Sequence, residues 1–343
     1  MKRRNLMGLV AGTAMALAMG TTAMAQEVTL KMHQFLPAQA NVPKDILDVW
    51  ADKVEAESEG RIKIERYPAM QLGGKPPELI GQLEDGIADI VWTVAGYTPG
   101  RFPQGEVFEL PFMMTDAEAT SRAYWEYAEA HMFENEFAPF KPIALWVHGP
   151  GLIHSKEPIT SVKDLNGVKL RAPTRVTNML FTDLGATPVG MPVPAVPEAL
   201  SKGVIDATVI PYEVTAALKV SELVGNHTEF GNSSLYTTNF IFAMNKDKYD
   251  AMPDDLKAVI DANSGADVSA WAGKTMQAAD GPAKQVAVDR GNNIIVLNDE
   301  QVAEWREASK GVEAKWIEEM TAKGFDGAAL VAEAKERIML NTK

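Results

Sequence analysis

The chain reads as an α/β protein in two lobes, with mixed, mostly parallel sheets and one long kinked helix spanning the lobes. Strand-like and helix-like patterns alternate along it, and the alternation starts again in the second half. Near the C-terminus lies a long helical stretch interrupted by a Gly-Pro pair. An alternating order stacks strands side by side under covering helices, and two such units in one chain make two lobes.

The first unit begins with Val28-Thr29-Leu30-Lys31-Met32, which alternates with a period of two as a strand does. Residues 42–59 follow as a helix: Ile46, Val49, Trp50 and Val54 make one apolar stripe, and Gly60 ends it. Residues 61–67 form the next strand, with Ile62 and Ile64 on one face, and 78–84 a short helix. Residues 88–94 are an apolar run apart from Asp89 and Thr93, as expected of a strand buried on both faces.

Residues 142–154 form a crossover. Two strand-like runs, 143–147 and 152–154, flank His148-Gly149-Pro150-Gly151. The second unit then places a strand at 168–170, a helix at 176–184, a short helix at 198–202 and a strand at 207–210. A second extended segment, 236–244, is able to return the chain to the first lobe. Two such connections are what a hinge needs. The long helix covers 266–289 and kinks near Gly281-Pro282. The last helix starts after Asn298, a cap residue, and buries Val302, Trp305, Val312, Trp316 and Met320 before Gly324 closes it. The lobes are therefore expected at 26–149 plus 237–275 and at 150–236 plus 276–343, the long helix being shared.

The N-terminus reads as a removable export signal over residues 1–25. Lys2, Arg3 and Arg4 precede an apolar run too short and too interrupted for a spanning helix, and Ala23-Met24-Ala25 is an A-x-A cleavage site. The rest of the chain offers no membrane-spanning stretch, so the mature protein is expected outside the membrane, in the periplasm. The chain has no cysteine, which excludes disulfides and thiolate chemistry. Against 33 basic residues stand 46 acidic ones, a formal charge of -13. Removing the signal takes away three basic residues and leaves -16. Nucleic acid and anionic lipid repel such a chain. An anion can bind it only through a local positive site.

Enzyme signatures are missing from the sequence. No G-x-G-x-x-G opens a helix, and Gly73-Gly74-Lys75 runs into Pro76-Pro77 where a phosphate loop would need a helix. There is no G-x-S-x-G and no H-E-x-x-H, and the five histidines never pair at metal-ligand spacing. No catalytic residue, metal or cofactor is expected. The informative stretch is Gly167-Val168-Lys169-Leu170-Arg171-Ala172-Pro173-Thr174-Arg175. A basic residue ending a buried strand points into the crevice at the carboxyl edge of the sheet. Its planar guanidinium can grip a carboxylate with two parallel hydrogen bonds. Arg171 is thus the candidate clamp, with a surface ion pair as the alternative.

With these residues the sequence resembles the solute-binding proteins of tripartite ATP-independent periplasmic (TRAP) transporters, of the dicarboxylate-binding type. The resemblance runs through Met70-Gln71-Leu72-Gly73-Gly74, Gly86-Ile87-Ala88-Asp89, Phe108-Glu109-Leu110-Pro111-Phe112, the block from Asp164 to Pro173, Gly185 to Met191, and Ala199 to Asp206. It covers nearly the whole mature chain. It implies a periplasmic binding protein clamshell that closes over its ligand and docks on a TRAP-type membrane permease driven by an ion gradient. It also implies that Arg171 forms a salt bridge to the ligand carboxylate. The chain departs from the sialic-acid-binding branch, whose second arginine falls at Gly151 and whose asparagine falls at Ile210. Rings furnish the site instead: Phe35, Trp92, Tyr97, Trp146, Tyr212 and Phe240 lie at strand ends or in interlobe loops, with core packing as the alternative. Arg175 is a candidate second anion contact. His33, His148 and Gln71 are candidates to orient a hydroxyl or keto group. The expected ligand is a monocarboxylate, an aromatic or small hydroxy or keto acid, bound by a monomer. A ligand-binding partner of a membrane sensor and a secreted hydrolase are the alternatives.

Overall fold

The computed structural model describes residues 26–342. The export-signal reading at 1–25 lies outside the described residues. Along the chain the strands are β1 (Val28–His33), β2 (Ile62–Tyr67), β3 (Ile90–Val94), β4 (Phe140–Val147), β5 (Leu152–Ser155), β6 (Lys169–Ala172), β7 (Thr187–Gly190), β8 (Ala207–Ile210), β9 (Asn226–Glu229), β10 (Asn239–Asn245) and β11 (Asn293–Val296). They build two sheets, one ordered β2-β1-β3-β10-β4 and the other β11-β9-β5-β8-β6-β7. The break between the sheets falls at residues 148–151, between β4 and β5. β10 carries the chain back into the first sheet, and β11 returns it to the second.

Both sheets are mixed. β1 runs parallel to β2 and β3, while β10 inserts antiparallel between β3 and β4. In the second sheet β5 is antiparallel to β8 and β9, and the pairings β6–β7, β6–β8 and β9–β11 are parallel. The fully buried β3 matches its apolar sequence: every one of its residues is covered.

The helices are α1 (Asp48–Glu57), α2 (Leu79–Glu84), α3 (Ala117–His131), α4 (Arg175–Asp183), α5 (Val196–Ser201), α6 (Tyr212–Ala217), α7 (Lys246–Asp250), α8 (Asp254–Ala262), α9 (Ala266–Ala278), α10 (Asp280–Asp289), α11 (Asp299–Ala322) and α12 (Gly327–Asn341). The helix expected at 42–59 opens with one wide π-type turn, Val42–Leu47, before α1 begins. The long stretch at 266–289 breaks at Ala279, just ahead of the Gly-Pro pair. Pro282 has no N–H to offer the carbonyl four residues back. That carbonyl belongs to Ala278, the last residue of α9. Below the break α9 packs on α3 and β4 of the first sheet, and above it α10 packs on α6 beside the second. α11 starts as expected, with Asn298 and Gln301 capping each other's backbone N–H groups. α3 and α12 were not among the expected elements.

Candidate ligand-binding site

The two sheets face one another across a small cavity. Strand β6 delivers Arg171 to it from the second sheet, between Val189 on β7 and Thr208 on β8. The residue is 2 % exposed. Its Nε donates to the Met191 carbonyl at 3.0 Å, Nη1 to the Val209 carbonyl at 2.9 Å and Nη2 to the Tyr97 hydroxyl at 3.3 Å. All three acceptors are neutral. Among the described residues no carboxylate forms an ion pair with Arg171, so its charge lies buried without a counter-charge. A buried charge is stable only when paired, and this one calls for an anion.

Tyr97 comes from the turn after β3 in the first sheet. Its hydroxyl oxygen also accepts the Val193 N–H at 2.8 Å. Burial pushes the phenol above its ordinary range despite the neighbouring Arg171, so it keeps its proton. Having accepted two hydrogen bonds, it has that proton left to donate. On the other side, His148 is 2 % exposed. Its Nδ1 lies against the Gly149 carbonyl, which can only accept, so Nδ1 carries the hydrogen. Nε2 then accepts the Thr238 hydroxyl proton at 2.6 Å. Burial, helped by Arg171, lowers His148 to about 4 and keeps it neutral.

The rings form a stack. Phe35 lies 4.6 Å from Trp92 at 17°, and Trp92 lies 5.1 Å from Phe240 at 20°. Trp92 and Phe240 come from adjacent antiparallel strands, where same-face side chains meet. All three line the cavity, as do Tyr97, His148 and Arg171.

The other candidates stand elsewhere. Trp146 is fully buried behind the stack, 6.0 Å from Trp92 and 5.9 Å from Phe240. Tyr212 packs on His154 and His227, and its hydroxyl donates to Glu229 at 3.0 Å. Arg175 is held by Glu106 and Glu319. His33 bonds Gln82 and accepts the Leu72 N–H. Gln71 is exposed and borders no part of the cavity.

Several cavity residues escaped the sequence reading. Tyr236 and Thr238 line it together with Phe240, and the period of two leading into β10 was the available signal. Glu213, one residue into α6, is another. Tyr236 also explains Gly151: a Cβ there would meet the Tyr236 ring at 2.2 Å and its carbonyl at 2.6 Å. The ring fills the room that a side chain at 151 would need. The lobes touch as closely at Gly96, where a Cβ would meet Thr174 at 2.4 Å.

Two α/β lobes around a ring-lined cavity with one buried, uncompensated guanidinium define a binding protein for a small organic acid. The chain belongs to the bacterial extracellular solute-binding proteins of family 7, whose model matches residues 32–319. A TRAP solute-binding protein from Rhodoferax ferrireducens, solved with copurified benzoate, is 48% identical with a TM-score of 0.90, over 91% of this chain and 98% of that one. A marine metagenome TRAP solute-binding protein specific for aromatic acid ligands, from an unidentified microbe and solved with 3-hydroxybenzoate, is 50% identical with a TM-score of 0.90, over 93% and 100%. The ectoine/5-hydroxyectoine-binding periplasmic protein of Ruegeria pomeroyi is 28% identical over 96% of this chain and 95% of its own length. Among the described residues no helix is long and apolar enough to cross a membrane.

Proposed function

We propose that the protein captures a small aromatic monocarboxylate in the periplasm and delivers it to a TRAP-type permease. The observation that carries this reading is the buried Arg171, which has only neutral partners and opens on a cavity walled by Phe35, Trp92 and Phe240. Arg171 takes the carboxylate with its guanidinium, and the Tyr97 hydroxyl adds a neutral donor beside it. The ring lies against the aromatic stack. Arg175 serves the fold, since its charge is already met. The relatives solved with benzoate and 3-hydroxybenzoate support the same class of ligand. The ligand touches both lobes, so it favours the closed state through differential affinity.

A thermal-shift panel on the mature protein tests this reading. Benzoate and its hydroxylated relatives are expected to give the largest shifts. At a hundred times the dissociation constant, a ligand adds about 2.7 kcal/mol. A largest shift from succinate, malate or a sugar acid would overturn the assignment.

A further inference from the structure

The cavity holds a second group whose chemistry points to a ligand. Glu213 stands in the first turn of α6 and is 4 % exposed. Its backbone N–H donates to Asp280 Oδ1 at 2.8 Å, which fixes the residue where α10 meets α6. The residue lines the cavity with Arg171, His148 and Phe240, and it also borders the groove on the outer side of α6. Oε2 is sealed from solvent without a partner, and among the described residues the carboxyl makes no hydrogen bond at all. Buried polar groups are ordinarily satisfied, so an orphan in a ligand cavity calls for explanation.

The charged surroundings decide its protonation. No lysine or arginine pairs with Glu213 among the described residues, and Arg171 is turned toward Met191, Val209 and Tyr97. Lys44, across the groove outside the cavity, is 68% exposed and sits beside Asp45. His148 is neutral. Burial raises the Glu213 carboxyl well above its usual range, and Asp280, itself pushed up to about 7 by burial, acts in the same direction. A protonated carboxyl offers an O–H to give and a C=O to receive. Thr238 gives its proton to His148, and Tyr97 accepts two hydrogen bonds and keeps its own proton for the carboxylate beside Arg171, while among the described residues the Tyr236 hydroxyl on the same wall makes no hydrogen bond.

We propose that Glu213 reads a ring hydroxyl, so that the preferred ligand is a hydroxylated aromatic monocarboxylate with its carboxylate on Arg171. A phenolic hydroxyl is both donor and acceptor and satisfies both halves of a neutral carboxyl. An unsubstituted ring leaves them orphaned. An ionised second carboxylate meets no positive charge at Glu213. This assignment rests on the aromatic monocarboxylate reading given above.

The test is titration calorimetry at pH 7 with benzoate, 3-hydroxybenzoate and 4-hydroxybenzoate, on the wild type, Glu213→Gln and Glu213→Leu. The wild type is expected to bind the better hydroxybenzoate at least tenfold tighter than benzoate. Glu213→Leu should erase that preference. Glu213→Gln keeps a donor and an acceptor and should hold most of the preference. An unchanged ratio in Glu213→Leu overturns the assignment. So does a wild type without preference, a comparison that stands even where the leucine variant fails to fold. If the wild type binds none of the three acids, the aromatic monocarboxylate reading itself fails.

Discussion

The guanidinium of Arg171 is ringed by two carbonyls and a phenol, whereas that of Arg175, four residues on, is held between Glu106 and Glu319. Arg171 is the last residue but one of β6, and Arg175 opens α4. Glu106, which also accepts the indole N–H of Trp316, brings a first-lobe turn to the Arg175 pair. Two identical side chains less than a strand's length apart thus differ in the charge of their partners. A guanidinium that meets carboxylates from its own chain is a staple. One that meets only neutral acceptors keeps its full electrostatic pull for an anion from outside.

Substitutions separate the two roles, and the largest expected effect is at the clamp. Arg171→Ala should weaken aromatic acid binding by roughly 3–5 kcal/mol, well over a hundredfold, because the ligand carboxylate loses its partner inside the cavity. A loss below tenfold by calorimetry, with the fold intact, would remove Arg171 from the site.

Next in size is a pH effect at His148, beside the clamp. The unfolded chain protonates this histidine below about 6.5, whereas the folded protein keeps it neutral down to about 4. The group's contribution is therefore full above pH 6.5 and falls as the pH drops from 6.5 toward 4. Denaturation curves should show the wild type losing ground against His148→Gln by about 1.4 kcal/mol per pH unit over that window. A constant difference would mean that His148 titrates normally.

Arg175→Ala tests the staple. It leaves Glu106 without its cation and should lower stability by about 2 kcal/mol, or melting by about 3 °C. Affinity should fall less than tenfold, and equally for mono- and dicarboxylates. A selective loss of dicarboxylate binding would make Arg175 a second clamp. The smallest effects concern the two tyrosines. Tyr97→Phe should cost about 1 kcal/mol of binding, about fivefold in affinity, through the lost hydroxyl. Tyr212→Phe should change affinity less than twofold, because its hydroxyl turns to Glu229.

Legibility followed the periodicity of the apolar residues. β1, β3, β8 and α11 carry strong patterns or caps and stand within two residues of their expected places. α3 was illegible because much of its buried face is small: Ala117, Ala119, Thr120, Ser121 and Ala123. It packs on α9 so closely that a Cβ at Gly273 would meet Ser121 Oγ at 2.2 Å and the Ala117 carbonyl at 2.4 Å. Such contacts are made by missing side-chain volume, which hydrophobic patterning does not register. Among the cavity-lining residues, Arg171, Trp92 and Phe240 could be picked out because each lies in a strand whose face and end were readable. Trp146 shares that face but sits one strand further from the cavity, a distinction that the strand order alone makes.

By itself the sequence determined the alternating α/β order, the break ahead of Pro282, the capped start of α11 and a strand-end arginine beside a helix start. These are local properties, set by side-chain periodicity and backbone chemistry over a few residues. Only the tertiary structure decided which arginine would be neutralised, since Glu106 and Glu319 lie 69 and 144 residues from Arg175 in the chain. It alone placed Tyr236 against Gly151 and left the Glu213 carboxyl without a partner. The reason is physical: a buried charge or polar group takes its character from what surrounds it, and here those neighbours come from segments that the sequence keeps far apart.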